Sequence, residues 1–97
     1  MFAYVIAEVS VTDPQLFAEY GRGVPGTIAA YGGKYLVRGG AVEAKEGAWT
    51  PRRVVMLEFP SMERARTWYE SAEYRPLLAM RLQAAQSKMI FVEGYAG

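Results

Sequence analysis

Neither cysteine nor histidine occurs anywhere in the 97-residue chain, and the two absences remove most of the familiar reactive chemistry. Without cysteine there are no disulfides, no thiolate nucleophiles and no sulfur-ligated metals. Without histidine there is no Ser-His-Asp or Cys-His arrangement, no His-ligated zinc and no proximal histidine for a haem iron. A metal would have to be held by oxygen alone, and acid or base chemistry would fall to Asp, Glu, Tyr, Lys or water. The acidic pairs close in sequence, Glu43 with Glu46 and Glu70 with Glu73, have no EF-hand spacing. The expectation is a protein with no metal and no cofactor.

An excess of charge is missing too. The 11 Lys and Arg residues nearly balance the 10 Asp and Glu, for a net charge of +1, and they are scattered from Arg22 to Lys88. That argues against nucleic acid as a partner. Long hydrophobic runs are absent at the start, where only about six apolar residues precede Glu8. That is too short for a signal peptide or a membrane span, so a cytoplasmic location follows by default, with no membrane partner. What is present is apolar substance: 52% of residues are hydrophobic and 22% charged, which fits a folded chain rather than a disordered one. The length suits one domain over residues 1–97.

Phe2 to Val11 reads as a strand rich in Val and Ile. Asp13 can cap a following helix, and Pro14 fits its first turn because the missing N–H would be unpaired there anyway. Leu16, Phe17, Tyr20, Val24, Ile28 and Tyr31 form its apolar stripe, with a kink or break expected near Pro25 and a stop at Gly32-Gly33. Lys34 to about Glu43 is the second strand, and Gly39-Gly40 inside it suggest a bulge or bend. Ala44 to Pro51 is a loop carrying Trp49, and Arg52 to Phe59 is the third strand. Ser61 caps a helix with an apolar stripe through Ala65, Trp68 and Tyr69. A second short helix is expected from about Glu73 to Ala85, with Tyr74, Leu77, Leu78 and Leu82 inward. Lys88 to Tyr95 closes the chain as a strand. The order βαββαβ is the ferredoxin-like split pattern, an α+β fold with a four-stranded antiparallel sheet, strands one and three central and the helices on one face.

Alternate residues of a strand point to opposite faces. The uncharged sets belong under the helices: Val5, Ala7 and Val9; Tyr35 and Val37; Val55, Leu57 and Phe59; Ile90 and Val92. The second sets are also largely apolar, with Tyr4, Ile6, Leu36, Val54, Met56, Met89 and Phe91. A lone domain would leave that face in water, where polar residues are expected, so a second copy of the same sheet is the simplest cover and a homodimer is predicted. The same face carries one charge per strand, Glu8, Arg38, Glu58 and Glu93. Two readings stay open: a polar cluster in an apolar ligand cavity, or charges that are wet at strand ends or paired to fix the dimer register. Trp68 and Tyr69 point about 100° apart, which puts one in the core and the other at a pocket mouth. Tyr74 and Arg81 share a helix face if the helix is continuous. They either present a phenol and a guanidinium to an anionic ligand or pack with Arg81 solvated or paired to a Glu.

Several stretches together resemble a small bacterial family, the domain of unknown function DUF1330. They are Val11-Thr12-Asp13-Pro14, the run Tyr31-Gly32-Gly33 to Arg38-Gly39-Gly40, Leu57-Glu58-Phe59-Pro60 with Ser61, Trp68-Tyr69-Glu70-Ser71, Arg81, and Val92-Glu93-Gly94. Ala72 departs from the pattern, where a proline ahead of Glu-Tyr is expected. The resemblance implies a ferredoxin-like, dimeric α+β barrel and brings no function with it. Fold relatives include cofactor-free monooxygenases, isomerases and haem enzymes. The expected function is binding or transforming a small organic molecule in a pocket beside the sheet. The alternatives are a non-enzymatic dimeric interaction module and a cofactor-free monooxygenase or isomerase. Glu8, Arg38, Glu58, Trp68, Tyr74, Arg81 and Glu93 are the ligand-binding candidates.

Overall fold

A computed structural model describes residues 1–96. Its elements are β1 (Ala3–Val11), α1 (Pro14–Ala30), β2 (Lys34–Arg38), β3 (Val54–Phe59), α2 (Met62–Tyr69), α3 (Arg75–Ala84) and β4 (Ala85–Glu93). The strands form one antiparallel sheet in the order β2-β3-β1-β4, so the first and third strands are central, as the split βαβ pattern predicts.

Local chemistry sets the element ends. Asp13 Oδ1 accepts from the Leu16 N–H at 3.2 Å, with Pro14 in the first turn. At the other end of α1, the Gly33 N–H bonds to the Ile28 carbonyl and the Gly32 N–H to the Ala29 carbonyl. This is a Schellman closure, and it needs the left-handed backbone that Gly32 supplies at φ +79°. Ser61 Oγ caps α2 through the Arg64 N–H at 3.1 Å. The expected single helix after Glu73 begins at Arg75, because Ser71 makes the turn. Its buried Oγ donates to the Trp68 carbonyl at 2.7 Å and accepts from the Tyr74 N–H at 3.1 Å.

α1 does not break at Pro25. It runs through to Ala30. Proline lacks the N–H that would bond four residues back, which frees the Gly21 carbonyl, and Arg38 Nη2 donates to that oxygen at 2.9 Å. A second difference is β2, which ends at Arg38 instead of reaching Glu43, since Gly39 turns the chain at φ +71°.

Val5, Leu57 and Phe59 lie under the helices and pack with Val24, Ile28, Ala65, Trp68 and Tyr74 as the main core. Trp68 is its centre, 5.3 Å from the Phe59 ring and 4.2 Å from Tyr74 between centroids. Leu82, expected inward, is 66% exposed. On two strands the face assignment is corrected. Val5 pairs with Phe91 and Ile6 with Ile90, so Met89 and Phe91 face the helices while Ile90 and Val92 lie on the open face. In β2 an irregularity between Tyr35 and Val37 sets Val37 opposite Met56 and Arg38 opposite Val55. One extra residue thus moves Val37 to the open face and Arg38 to the helix face. The open face keeps an apolar centre of Ile6, Met56 and Ile90, flanked by Tyr4, Val37 and Val92.

Candidate functional site

The corrected register disperses the four charges that one of the two readings placed in a single cavity. Glu8 and Glu58 stay on the open face but lie four residues apart along β1, since Tyr4 opposes Glu58. That is about 13 Å at roughly 3.3 Å per residue. Glu8 Oε2 accepts from Trp49 Nε1 at 2.8 Å, and Glu58 sits 3.6 Å from Lys34 Nζ. Glu93 is exposed at the end of β4, opposite Ala3 and thus on the helix side. Arg38 is on the helix side as well. Among the described residues, no cluster of three carboxylates is placed to hold a metal.

A cleft lies instead between α1 and the helix face of the sheet. Its floor is apolar, with Ala7, Val9, Val55 and Met89, and its roof is Phe17, Tyr20, Gly21 and Val24. It offers about 50 Å³ of free space, enough for a few water molecules or one small polar group. Trp68 lines its inner end and is anchored by its Nε1 donating to Thr27 Oγ1 at 3.0 Å. Gly21, without a side chain, leaves the roof thin above Arg38.

Three arginines line this cleft, one from each of three segments: Arg38 at the end of β2, Arg53 just before β3 and Arg81 on α3. No acidic side chain lines it. Arg81 is 5% exposed. Its Nη1 donates to Ser87 Oγ at 2.6 Å and its Nε to the Tyr74 hydroxyl at a long 3.4 Å. Tyr74 is fully buried, and its hydroxyl lies 2.8 Å from that of Tyr20. Burial works against the Arg81 charge, and the neighbouring hydroxyls of Tyr74 and Tyr20 more than offset it, so the guanidinium stays charged. Burial raises the Tyr20 hydroxyl well above its ordinary value, helped by Tyr74, so Tyr20 is a neutral hydrogen-bonding group. Burial also raises Tyr35, against the pull of Arg38. Arg53 lies over the Phe17 ring at 5.4 Å and Arg38 over Tyr35 at 4.6 Å.

Of the sequence candidates, Arg38, Trp68 and Arg81 therefore line one cleft. Tyr74 touches it through Arg81 and Tyr20, and the three glutamates lie elsewhere. Sequence reasoning missed Arg53, Tyr20 and Tyr35. The signal for Arg53 was its parity with Val55, Leu57 and Phe59, which places it on the helix face one step beyond the strand.

The model of a domain of unknown function, DUF1330, matches residues 2–95. The chain belongs to this family. No curated protein matches the sequence. Among solved structures, a protein of unknown function from Rhodopseudomonas palustris superposes with a TM-score of 0.76 at 19% identity, over 99% of this chain and 84% of that one. SnoaB, a cofactor-independent oxygenase from Streptomyces nogalater, gives 0.70 at 10% identity over 99% and 95%. A dimeric protein of unknown function with a ferredoxin-like fold from Bacteroides fragilis gives 0.56 at 8% identity over 96% of each. These likenesses place the DUF1330 chain in the ferredoxin-like α+β fold. No helix among the described residues is long and apolar enough to cross a membrane.

Proposed function

We propose that this DUF1330 protein is a homodimer that binds a small organic molecule in the cleft between α1 and the sheet. The observation that carries the reading is the cleft itself: apolar walls with a few convergent polar groups, Arg38, Arg53, Arg81 and Tyr20, the usual make-up of a small-molecule site. The dimer is supported by the uncovered apolar centre of the open face around Ile6, Met56 and Ile90 and by the dimeric state described for the Bacteroides fragilis protein. With the open faces together, both clefts stay accessible on the outside. The buried Arg81 and the half-buried Arg53 beside the cleft favour this reading over a purely structural interaction module.

Transformation of the ligand, in the manner of a cofactor-free monooxygenase or isomerase, is a second reading. It is favoured by the contact chain Tyr20–Tyr74–Arg81, which could hold a proton near a bound molecule, and by the shared fold of the oxygenase SnoaB. Oxygen uptake or product formation with a ligand once found would separate turnover from binding.

The test of the binding reading is a panel of small molecules followed by amide chemical shifts, on the wild type and on Ala7→Leu, which fills the floor. Shifts should cluster on α1 and residues 7–9 and vanish in the filled variant. Ligands that perturb only other surfaces, or bind the filled variant equally well, refute the proposal.

A further inference from the structure

We propose that the ligand of the cleft is a small organic carboxylate, whose charged end meets Arg53 and Arg81 and whose apolar body lies under Phe17. The inference rests on the reading of the cleft as a ligand site and names the class of molecule it takes. The charge distribution is the first observation. Three guanidinium groups line one cleft with no carboxylate among the lining residues. The ion pairs among the described residues, Lys34–Glu58 and Lys45–Glu43, involve none of the three. In a protein whose overall charge is only +1, this is a local concentration of positive charge. Buried charge of one sign is costly until a counter-charge arrives, so the cleft favours an anion over a neutral molecule or a cation.

The second observation is independent of charge counting. Arg53 Nε is buried and makes no hydrogen bond in the described structure. Buried polar atoms are almost always satisfied, and an exception calls for a partner from outside the chain. A carboxylate accepts two parallel N–H bonds from one guanidinium, which suits an arginine left with an unused donor. Arg53 is also held in place. A side chain at Gly39 would collide with its guanidinium, so the turn at Gly39 packs directly against it, and the Phe17 ring lies 5.4 Å from it.

Depth and size complete the argument. Arg81 is buried, Arg53 half-buried and Arg38 exposed, so the positive groups run from the mouth inward. The free space of about 50 Å³ accommodates a carboxylate with little attached, and a larger body extends toward the mouth beside Arg38. Arg38 is held there by one hydrogen bond to the Gly21 carbonyl and by the Tyr35 ring beneath it, and the hydrogen bond is one an anion can replace.

The experiment titrates formate, acetate and benzoate against formamide, acetamide and benzamide at neutral pH, following the arginine Nε–H resonances and backbone amides. The acids should bind and move the Arg53 and Arg81 signals, and the matched amides should bind at least about tenfold more weakly. Arg53→Gln should weaken the acids about tenfold and leave the amides unchanged, with Arg38→Gln as a second variant that keeps the core intact. Amides binding as well as acids would overturn the anion assignment and leave the cleft as a ligand site. Acids that bind without regard to Arg53 and Arg38 would overturn it too. No binding of either kind would overturn both readings.

Discussion

Replacing Ile90 by lysine puts a charge at the centre of the open sheet face without touching the helix-side core. Ile90 is 58% exposed in the protomer and pairs with Ile6, which pairs in turn with Met56. The protomer should therefore lose at most about 0.5–1 kcal/mol, as exposed substitutions do. In a sheet-to-sheet dimer the same change removes two isoleucines, one from each copy. Full burial of an isoleucine stabilises by about 1.5–3 kcal/mol, and the 58% left exposed in the protomer assigns about 1–2 kcal/mol of that to the interface in each copy. Roughly 2–4 kcal/mol corresponds to a dimer weakened by about 30- to 700-fold, before the repulsion of two facing ammonium groups is counted. Light scattering behind size exclusion reads this directly. Wild type should show twice the protomer mass of 10.8 kDa at micromolar concentration, and Ile90→Lys should show one protomer with a nearly unchanged circular dichroism spectrum. A wild-type monomer, or a variant whose dimer survives dilution as the wild type does, would refute the reasoning.

Arg38→Met should cost only about 0.5–1.5 kcal/mol, the worth of one hydrogen bond, because Arg38 is exposed and bonds the Gly21 carbonyl. The 3–5 kcal/mol expected for breaking a buried ion pair would require a carboxylate partner, and a melting curve distinguishes the two. Gly32→Ala should destabilise by about 1–2 kcal/mol, since its φ of +79° crowds any side chain, and an unchanged melting temperature would count against the Schellman closure. Tyr31 Oη donates to Glu73 Oε2 at 2.7 Å, a bond that holds Glu73 below its ordinary value and Tyr31 above its own. The bond's contribution, small at this exposed site, is present at neutral pH. It fades as acid protonates Glu73 through its lowered value, and as alkali ionises Tyr31 through its raised one. Melting temperatures of Tyr31→Phe should therefore differ from wild type most at neutral pH and converge with it at both extremes, and a constant offset would argue against the bond.

Much of the fold was legible because the signals were local. Asp13-Pro14, Gly32-Gly33 and Ser61 mark helix ends by capping chemistry that depends on few neighbours. The central place of β1 and β3 followed from the βαββαβ order. The faces of β2 and β4 were not legible. In β4 both alternating sets are apolar, Met89 with Phe91 and Ile90 with Val92, so a two-residue period cannot say which set is covered. In β2 the bulge shifts the alternation by one residue, and nothing in Tyr35-Leu36-Val37 announces it. The charged cluster, one of the two readings of those faces, dissolved with them. Arg38 and Arg81 came out on the cleft through a register and a helix packing that composition does not encode.

The residues that read as weaknesses of α1 are the ones that shape the cleft. Gly21 and Gly23 carry poor helix propensity, and Pro25 removes a helix bond. In place, Gly23 lets α3 approach, since a side chain there would strike Leu77 at 2.7 Å. Gly21 thins the roof, and Pro25 frees the Gly21 carbonyl for Arg38. A helix of stronger formers would put a side chain over the cleft at position 21, and an ordinary residue at position 25 would take up the carbonyl that holds Arg38 at the mouth. The local cost in helix stability is offset by the packing of Val24 and Ile28 into the core on either side. The segment where sequence-level propensity and observed structure disagree most is thus the segment that borders the cleft, the place where a departure from local consistency is expected to have a functional reason.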